Sequence, residues 1–542
     1  MATNEIIDFV LAQYTYIDWL VFIAYGLILL GSGWIFNRRS ATSQDYFLGG
    51  NAMPIWVVAI SVLATSQSAA TFLGGPDQGY RGDFSYLSSN IGALIAALFV
   101  AKYLIPRFYQ FQVFTVYELL EQRFGSAAKR YAGSMYLFGR VFASGARLYM
   151  AAIAIAMILF GDIAAIHVVT AILLISVCGL LYTVYGGIRS VIYSDVIQCA
   201  VYVLAALAVL ITLLTSIPAD FSSMLAVLAE PGPGQSSKLA LFKFDLDFTA
   251  SGVFNFWSVL TGFVLLNIAA FGLDQDMTQR MLTCKSAKQG SKALLYSIIM
   301  VVPVMFVFIA IGLLLFIFYD RPDLMQVAGS AQVMPNFQGE PVTIFMYYVL
   351  NEMPAGLKAL VTVGIVAAAL STLNSGLNSM SSVIVQDLYR PWQTKRYGKR
   401  AEQHYVKAGR WGMLLVAAAL AAMAALCFYW QQYADTPLLQ FALGVMVFSY
   451  SGLLGVYFTA LFTQRGSQAS VLAALVCGFS VTLLMQPYVQ SLYLPTDLQF
   501  NLGFTWQLCM GSFIATLVCV STSQPPPLQK HAPQPSLTLP NQ

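Results

Sequence analysis

The sequence predicts an all-α polytopic membrane protein with thirteen transmembrane helices. Of its 542 residues, 58% are hydrophobic and only 10% are charged, which leaves too little polar surface for a soluble globule. Thirteen apolar runs are each long enough to cross a hydrocarbon layer of ~30 Å. Lysine and arginine residues are concentrated on alternate connections between these runs.

The predicted helices fix the orientation of the chain. They lie at 17–36, 54–75, 84–106, 130–160, 166–185, 191–216, 252–272, 290–318, 356–386, 408–430, 438–463, 467–486 and 501–520. Since thirteen is odd, the two termini lie on opposite sides. One set of alternate loops carries 20 basic residues and the other carries 5, so the richer set is cytoplasmic. We therefore expect the N-terminus outside and the C-terminus in the cytoplasm of a multi-pass cell-membrane protein.

The helix count also predicts a domain organisation. Residues 1–53 form an extracellular N-terminus with the first helix, and residues 466–520 form two peripheral helices. The ten helices within 54–465 divide into five and five. Because five is odd, the second set enters the membrane in the opposite orientation, which is the condition for two inverted repeats. The Pro-, Gln- and Ser-rich segment 521–542 is expected to be a disordered cytoplasmic tail.

The leading helix of each repeat contains polar or flexible residues that favour an interruption. The first has Thr65-Ser66-Gln67-Ser68 ahead of Gly74-Gly75-Pro76, and the second has Asn267 and Gly272. Broken helices leave carbonyl and amide groups free at mid-membrane depth, where they form binding sites. Ordinary helix packing and kinking would also account for these residues.

The run 361–386 carries many hydroxyl and amide side chains for a membrane helix. At 100° per residue they form two overlapping stripes, which contain Ala368, Ser371, Thr372, Ser375 and Ser379, and Ser371, Asn374, Asn378 and Ser382. Small polar residues also allow close helix packing in membranes. Adjacent hydroxyls near mid-membrane depth instead favour a cation site, because a hard cation without its water needs several oxygen ligands.

Three charged residues are candidates for function. Arg140 lies about ten residues into its predicted helix, where a charge is expensive unless it is paired or hydrated. Arg147 is nearer the outer end and could extend to the interface. Asp195 follows a Gly-Gly turn, where it would either favour a helix N-terminus or face the bundle and bind a cation. Tyr86 and Asn90 could line the same cavity as Arg140.

The sequence gives little support for other classes of protein. The three histidines, His167, His404 and His531, belong to no nucleophile–base set and have no metal-ligand spacing, so we expect no enzyme. The net charge of +4 includes no cluster suited to nucleic acid. A channel would need a repeated pore-lining motif, and none is present.

Four segments together resemble the sodium/solute symporter family over about 45–465. They are SQDYFLGGNAMPIWVVAISVLATSQSAATFLGG, LYTVYGGIRSVIYSDVIQ, NIAAFGLDQDMTQRMLTCKS and AALSTLNSGLNSMSSVIVQDLY. The resemblance implies the leucine-transporter fold, which has two inverted repeats of five helices. It implies a sodium ion held by the main-chain carbonyls of Ala64, Gln67 and Ala368 and the hydroxyls of Ser371 and Thr372.

The resemblance in site residues is greatest to the sialic-acid-transporting members of the family. It implies a second sodium site at Asp195, Ser371, Asn374 and Ser375, where Asn374 replaces a serine. It also implies a substrate site at Ser68, Thr71, Tyr86, Asn90 and Arg140, with Tyr86 replacing Phe and Asn90 replacing Gln. The arginine of this site would hold the substrate carboxylate.

The galactose-transporting members match less well. At their sugar-binding positions this chain has Thr71, Asn90 and an apolar residue near Leu443, and Ala270 replaces their gate tyrosine; only Asn267 is kept. We therefore expect a sodium-coupled symporter that imports a small carboxylate, such as a sialic acid or a monocarboxylate, and that functions as a monomer in the lipid bilayer. A neutral solute (sugar, polyol or amino acid) is the alternative within transport, and a sodium-responsive sensor or channel is the alternative outside it.

Overall fold

The computed structural model describes residues 14–36, 42–232, 234, 236–325, 336–337, 340–341, 343–434 and 438–522. The predicted disordered tail therefore lies, apart from residues 521 and 522, outside the described residues, as do residues 1–13 of the predicted N-terminal region.

Ten helices make up the first half of the described chain. They are α1 (Tyr16–Phe36), α2 (Ser43–Leu48), α3 (Ile55–Ser66), α4 (Ala69–Arg81), α5 (Ser85–Gln110), α6 (Glu118–Phe124), α7 (Ser126–Phe160), α8 (Ala165–Ser216), α9 (Phe221–Ala229) and α10 (Phe256–Leu273). Short 3₁₀ turns occur at Gly49–Asn51 and Ala250–Gly252. α5 and α10 contain π-helical turns, at Val100–Leu104, Val259–Phe263 and Ala269–Leu273.

Ten further helices make up the second half. They are α11 (Gln275–Leu282), α12 (Ala287–Asp320), α13 (Pro322–Met325), α14 (Ile344–Asn351), α15 (Leu357–Tyr397), α16 (Glu402–Ala434), α17 (Leu438–Phe462), α18 (Gln468–Leu484), α19 (Pro487–Gln490) and α20 (Phe504–Val520). α15 contains a π-helical turn at Ile384–Tyr389, and a 3₁₀ turn lies at Thr496–Leu498. Strands β1 (Asn336–Phe337) and β2 (Glu340–Pro341) form a two-residue antiparallel pair.

The length and composition of the helices confirm a multi-pass membrane protein. Within the described residues, eight helices are long and apolar enough to cross a membrane, or nine if the pair Ser43–Asn51 and Ile55–Ser66, bent by 111°, counts as one span. Four shorter apolar helices accompany them: Tyr16–Leu29, Ala165–Leu181, Gln468–Leu484 and Phe504–Val520.

The interruption predicted near Gln67 is present. α3 ends at Ser66, Gln67 is extended (φ −93°, ψ 108°), and α4 begins at Ala69. The second predicted interruption lies after both Asn267 and Gly272. Asn267 stays helical and its Nδ2 donates to the Phe263 carbonyl at 2.8 Å. The chain leaves the helix at Asp274 (φ −90°, ψ 118°), whose side chain accepts from the Asp276 N–H and so begins α11.

The predicted Gly-Gly turn is present as a sharp kink at Gly187, which separates two helical segments of α8. Gly187 adopts φ 60° and ψ −167°, and helix continues on both sides of it. A Cβ at this position would meet the Tyr46 main chain. Glycine is therefore required both for the positive φ and for the close approach of α2.

α15 lies at the centre of the fold. Every residue from Ala367 to Val383 is buried. The hydroxyl and amide stripes of this helix therefore face protein and not lipid, as a binding helix requires.

α4 and α12 cross with their main chains in contact. A Cβ on Gly79 would meet the carbonyl of Ile309, and a Cβ on Gly312 would meet the carbonyl of Pro76. Small residues at such crossings allow membrane helices to approach closely. The C-terminal half of the first broken helix is thereby fixed to α12.

Candidate functional site

A small cavity lies between the break after α3 and the middle of α15. Its lining includes Ala64, Gln67, Ala368 and Ser371, four of the five residues predicted for the first ion. The fifth, Thr372, lines a neighbouring cavity instead, and its Oγ1 donates to the Ala368 carbonyl at 3.1 Å. The remaining residues of the first cavity are Gln198, Cys199, Tyr202 and Ala367.

The break supplies the carbonyl groups that this cavity requires. The Gln67 N–H donates to the Leu63 carbonyl, and the Thr71 N–H donates to the Ser68 carbonyl. Among the described residues, no main-chain N–H across the break donates to the carbonyl of Ala64 or Gln67. Such oxygens suit a hard cation that has lost its water.

Asp195 is fully buried beside this cavity. Its Oδ1 accepts from Ser371 Oγ at 2.7 Å, and its Oδ2 accepts from Ser61 Oγ at 2.5 Å and from Arg280 Nη2 at 3.0 Å. This position agrees with the interpretation that Asp195 faces the bundle. It disagrees with a helix N-terminus, because Asp195 lies eight residues after the kink at Gly187, within the second helical segment of α8.

An arginine lies where the second ion was predicted. The Arg280 guanidinium contacts both Asp195 and the hydroxyl of Ser375. Asn374, the other predicted ligand, is buried with neither side-chain polar atom hydrogen bonded in the described part of the chain, and its Oδ1 faces Gly179. The four predicted ligands therefore do not enclose one open space.

Arg280 was not predicted as a site residue, because it lies between the predicted helices 252–272 and 290–318, on a predicted cytoplasmic loop. In the structure it is one of the largest fully buried side chains. A signal was present in the run Asp274-Gln275-Asp276-Met277-Thr278-Gln279-Arg280, because Asp276 and Arg280 lie four residues apart and meet on one face of a helix.

A buried chain of ion pairs connects the small cavity to the centre of the protein. Arg280 Nη1 lies 3.1 Å from Asp276 Oδ1. The other oxygen of Asp276 contacts the Arg140 guanidinium. Arg140 Nη1 lies 2.9 Å from Asp274 Oδ2. Together with Asp195 these residues form a continuous network that we call the ion chain, and each of the five side chains is almost fully buried.

The ion chain ends at the main cavity, whose volume is about 810 Å³ including the part open to solvent. Of the predicted substrate residues, Tyr86, Asn90, Arg140 and Asn267 line it. Ser68 and Thr71 are buried but do not line it. The other polar or charged residues of the lining are Ser66, Gln67, Ser89, Arg147, Asp274 and Tyr450, and the apolar ones include Phe263, Leu266, Phe271, Met305, Leu443 and Met446.

A mostly apolar cavity with a few fixed polar groups is typical of a small-molecule site. Tyr450 OH donates to Asp274 Oδ2 at 2.6 Å and fixes that carboxylate at the cavity wall. Within the described chain, no group of three or more His, Cys, Asp and Glu side chains could hold a metal ion. The small cavity, with its carbonyls and hydroxyls, is thus a candidate for an alkali cation.

Sequence comparison identifies the family. The profile described as "Sodium:solute symporter family" matches residues 46–478. The sodium/sialic acid symporter SiaT of Proteus mirabilis (strain HI4320) is 25% identical over 477 residues, covering 87% of this chain and 90% of that protein. The human sodium-coupled monocarboxylate transporter 2 is 27% identical over 383 residues, covering 69% of this chain and 58% of that protein.

Solved structures show the same fold. A Na⁺-coupled sialic acid symporter in a substrate-bound outward-open state superposes with a TM-score of 0.75 at 23% identity, covering 93% of this chain and 97% of that one. Mhp1, a nucleobase-cation-symport-1 family transporter in a closed conformation, superposes with a TM-score of 0.53 at 12% identity, covering 90% and 94%. Both the family and the relatives are transporters, which confirms the expectation that the chain is not an enzyme. The chain belongs to the sodium:solute symporter family.

Proposed function

We propose that the protein uses the sodium gradient to import a small organic anion that carries a carboxylate. The observation that carries this proposal is the adjacency of two sites: oxygens freed at the break after α3 face α15, and the main cavity begins at Gln67. The sialic acid and monocarboxylate specificity of the relatives supports a carboxylate substrate. Binding of both solutes would allow the change from the outward-open to the inward-open state.

The sodium ion would be held by the carbonyls of Ala64, Gln67 and Ala368 and by the hydroxyls of Ser371 and Thr372. A hydroxyl has one donor and two acceptor lone pairs. Ser371 already gives its proton to Asp195, so its lone pairs are available for a cation.

We propose a stoichiometry of one sodium ion per solute. Arg280 already supplies a positive charge beside Asp195 and Ser375, where a second ion would bind. The charges around the sites balance, with three carboxylates and three guanidiniums, of which only Arg147 is half-buried: Asp195, Asp274 and Asp276 against Arg140, Arg147 and Arg280. One sodium ion and one monoanion preserve that balance. Transport would then be electroneutral. The membrane potential, which supplies ~2.3 kcal/mol per transported charge at 100 mV, would therefore not drive it.

The topology proposed from the sequence fits the helices of the structure. The nine spans and the four shorter apolar helices together number thirteen if each of the four also crosses the bilayer. The N-terminus would then be outside and the C-terminus cytoplasmic. The transport core would cover 54–465 as two inverted repeats, with 1–53 and 466–520 at its periphery, in a protein that functions as a monomer.

Purified protein in proteoliposomes tests the proposal. A thermal-shift panel of acids, sugars, polyols and amino acids, run in sodium and in potassium, identifies the solute. We expect acids to raise the melting temperature only in sodium, and we expect uptake of the labelled acid against its gradient. Uptake that never exceeds equilibrium indicates a channel or sensor and contradicts the proposal. Sodium-dependent uptake of neutral solutes alone supports sodium-coupled symport but contradicts the proposal that the substrate is an acid.

A further inference from the structure

We propose that Arg147, on the wall of the main cavity, binds the anionic group of the transported solute. This assignment rests on the proposed function and names the residue that selects the substrate class. The sequence resemblance had given this role to Arg140, and Arg147 was interpreted as a residue that reaches the membrane interface.

Arg140 and Arg147 occupy the same face of α7. They are seven residues apart, which places them two turns and about 10 Å from each other along the helix. Both line the main cavity. The cavity wall therefore carries two guanidiniums at different depths.

The two guanidiniums differ in their partners. Arg140 is bound to Asp274 and Asp276, so its charge is already compensated by two carboxylates. Arg147 makes no ion pair with any described residue, and the only acceptor recorded for it in that part of the chain is the Met446 sulfur, 3.0 Å from Nη2. A guanidinium has five N–H donors and a thioether is a weak acceptor, so the hydrogen-bonding capacity of Arg147 is largely unused.

The surroundings of Arg147 favour the binding of an anion beside its guanidinium. An unpaired charge at this depth is expensive, and the neighbouring lining at Leu443 and Met446 is apolar. A carboxylate would accept two parallel hydrogen bonds from the guanidinium fork. The asymmetry between a compensated Arg140 and an uncompensated Arg147 therefore directs the anion to the second residue.

The position of Arg147 also connects the solute to the ion. Besides the main cavity, Arg147 lines the neighbouring cavity described above for Thr372, a proposed sodium ligand, together with Ala69 and Ser144. A sodium ion near Thr372 is repelled by the guanidinium until an anion neutralises it. Solute binding would thus increase sodium affinity, and by thermodynamic linkage sodium would increase solute affinity by the same factor.

The test compares Arg147→Met and Arg147→Lys with the wild type and with Arg81→Gln, a control on the exposed end of α4. The probes are sialic acid and propionate, each paired with a neutral counterpart, the methyl ester and propionamide. Dissociation constants are measured in sodium on purified protein. In Arg147→Met we expect affinity for the acid to fall about thirtyfold or more. We expect the neutral counterpart to be little affected.

A second readout keeps the test decisive if Arg147→Met does not fold. Arg147→Lys retains the charge and loses the planar fork, so we expect a smaller but measurable loss of acid affinity. In the wild type, the acid should lower the sodium concentration needed for half-saturation. That shift should shrink in Arg147→Lys and disappear in Arg147→Met.

Three outcomes overturn the assignment. The first is acid affinity within threefold of wild type in both variants. The second is a wild-type protein that binds the neutral counterparts as tightly as the acids, or that shows sodium-dependent transport of neutral solutes only. This second outcome does not contradict sodium-coupled symport. The third is the absence of sodium-dependent binding or uptake of any solute, which overturns the proposed function together with the assignment.

Discussion

The two broken helices both leave helical geometry for extended backbone, and they differ in chemistry. The first break has two extended residues, Gln67 (φ −93°, ψ 108°) and Ser68 (φ −110°, ψ 176°), and the second has one, Asp274 (φ −90°, ψ 118°). The first break contains only neutral side chains. The second is followed by Asp276 and Arg280, which belong to the ion chain.

This difference shows that a break in a membrane helix can have two different functions. At the first break the carbonyls of Ala64 and Gln67 accept from no main-chain N–H of the part of the chain that the structure describes. At the second, the Asp274 side chain caps α11 and is itself held by Arg140 and Tyr450. The neutral break is suited to receive a cation, whereas the charged break is already stabilised by charges of the protein. Substitutions on either side should therefore have different consequences.

The largest effect is expected from Asp276→Asn, at the charged break. Asp276 is shared by Arg140 and Arg280, so its loss weakens two buried ion pairs at once. Breaking a buried pair costs about 3–5 kcal/mol of folding free energy. Thermal unfolding in detergent measures the change. Asp323→Asn is the control, since its pair with Arg321 is partly exposed and contributes about 1 kcal/mol or less. Equal melting temperatures for the two variants would contradict a structural role of the ion chain.

Tyr450→Phe should have an intermediate effect at the same break. The substitution removes only the hydroxyl that donates to Asp274 Oδ2 at 2.6 Å. A hydrogen bond to a charged group contributes about 1.5–3 kcal/mol. We expect a lower melting temperature with an unchanged sodium midpoint. A shifted sodium midpoint with unchanged stability would show instead that Tyr450 acts on the ion site.

The smallest of the three effects is expected from Ser371→Ala, which changes the α15 side of the small cavity, opposite the neutral break. It removes one proposed sodium ligand, and we expect the half-saturating sodium concentration to rise on the order of tenfold, or about 1.4 kcal/mol. Ser381→Ala is the matched control on the same helix, because that hydroxyl donates to the Gly409 carbonyl away from the site. Identical sodium midpoints for the two variants would remove Ser371 from the ion site.

Much of the fold could be predicted because its signals are local. Apolar runs of spanning length gave the helix positions, and the stripe containing Ser371 predicted a buried face on α15. The break near Gln67 was predicted from polar residues that are unsuited to lipid. The second break lies two residues after the predicted Gly272 and seven after Asn267, because Asn267 satisfies its amide within the helix while Asp274 caps the next one.

The arrangement of charges could not be predicted in the same way. α11 is only eight residues long and polar on average, so it does not belong to an apolar run of spanning length, and Arg280 was predicted to lie in a loop. Its partner Asp195 lies 85 positions earlier in the chain, and such a contact depends on the packing of distant helices. The same reason explains Thr372: it follows Ser371 by 100° of helix rotation, and only the neighbouring helices decide which cavity it lines.

The main-chain contact between Gly79 and Gly312 limits how the sequence can vary. At either position a methyl group would meet backbone, which cannot withdraw as the end of a flexible side chain does. A larger residue at one position could be accommodated only by a smaller residue at the other, and that residue is already glycine. A substitution at one position therefore cannot be compensated by a substitution at the other. Other positions of the two helices can vary, but this point of contact requires glycine on both helices.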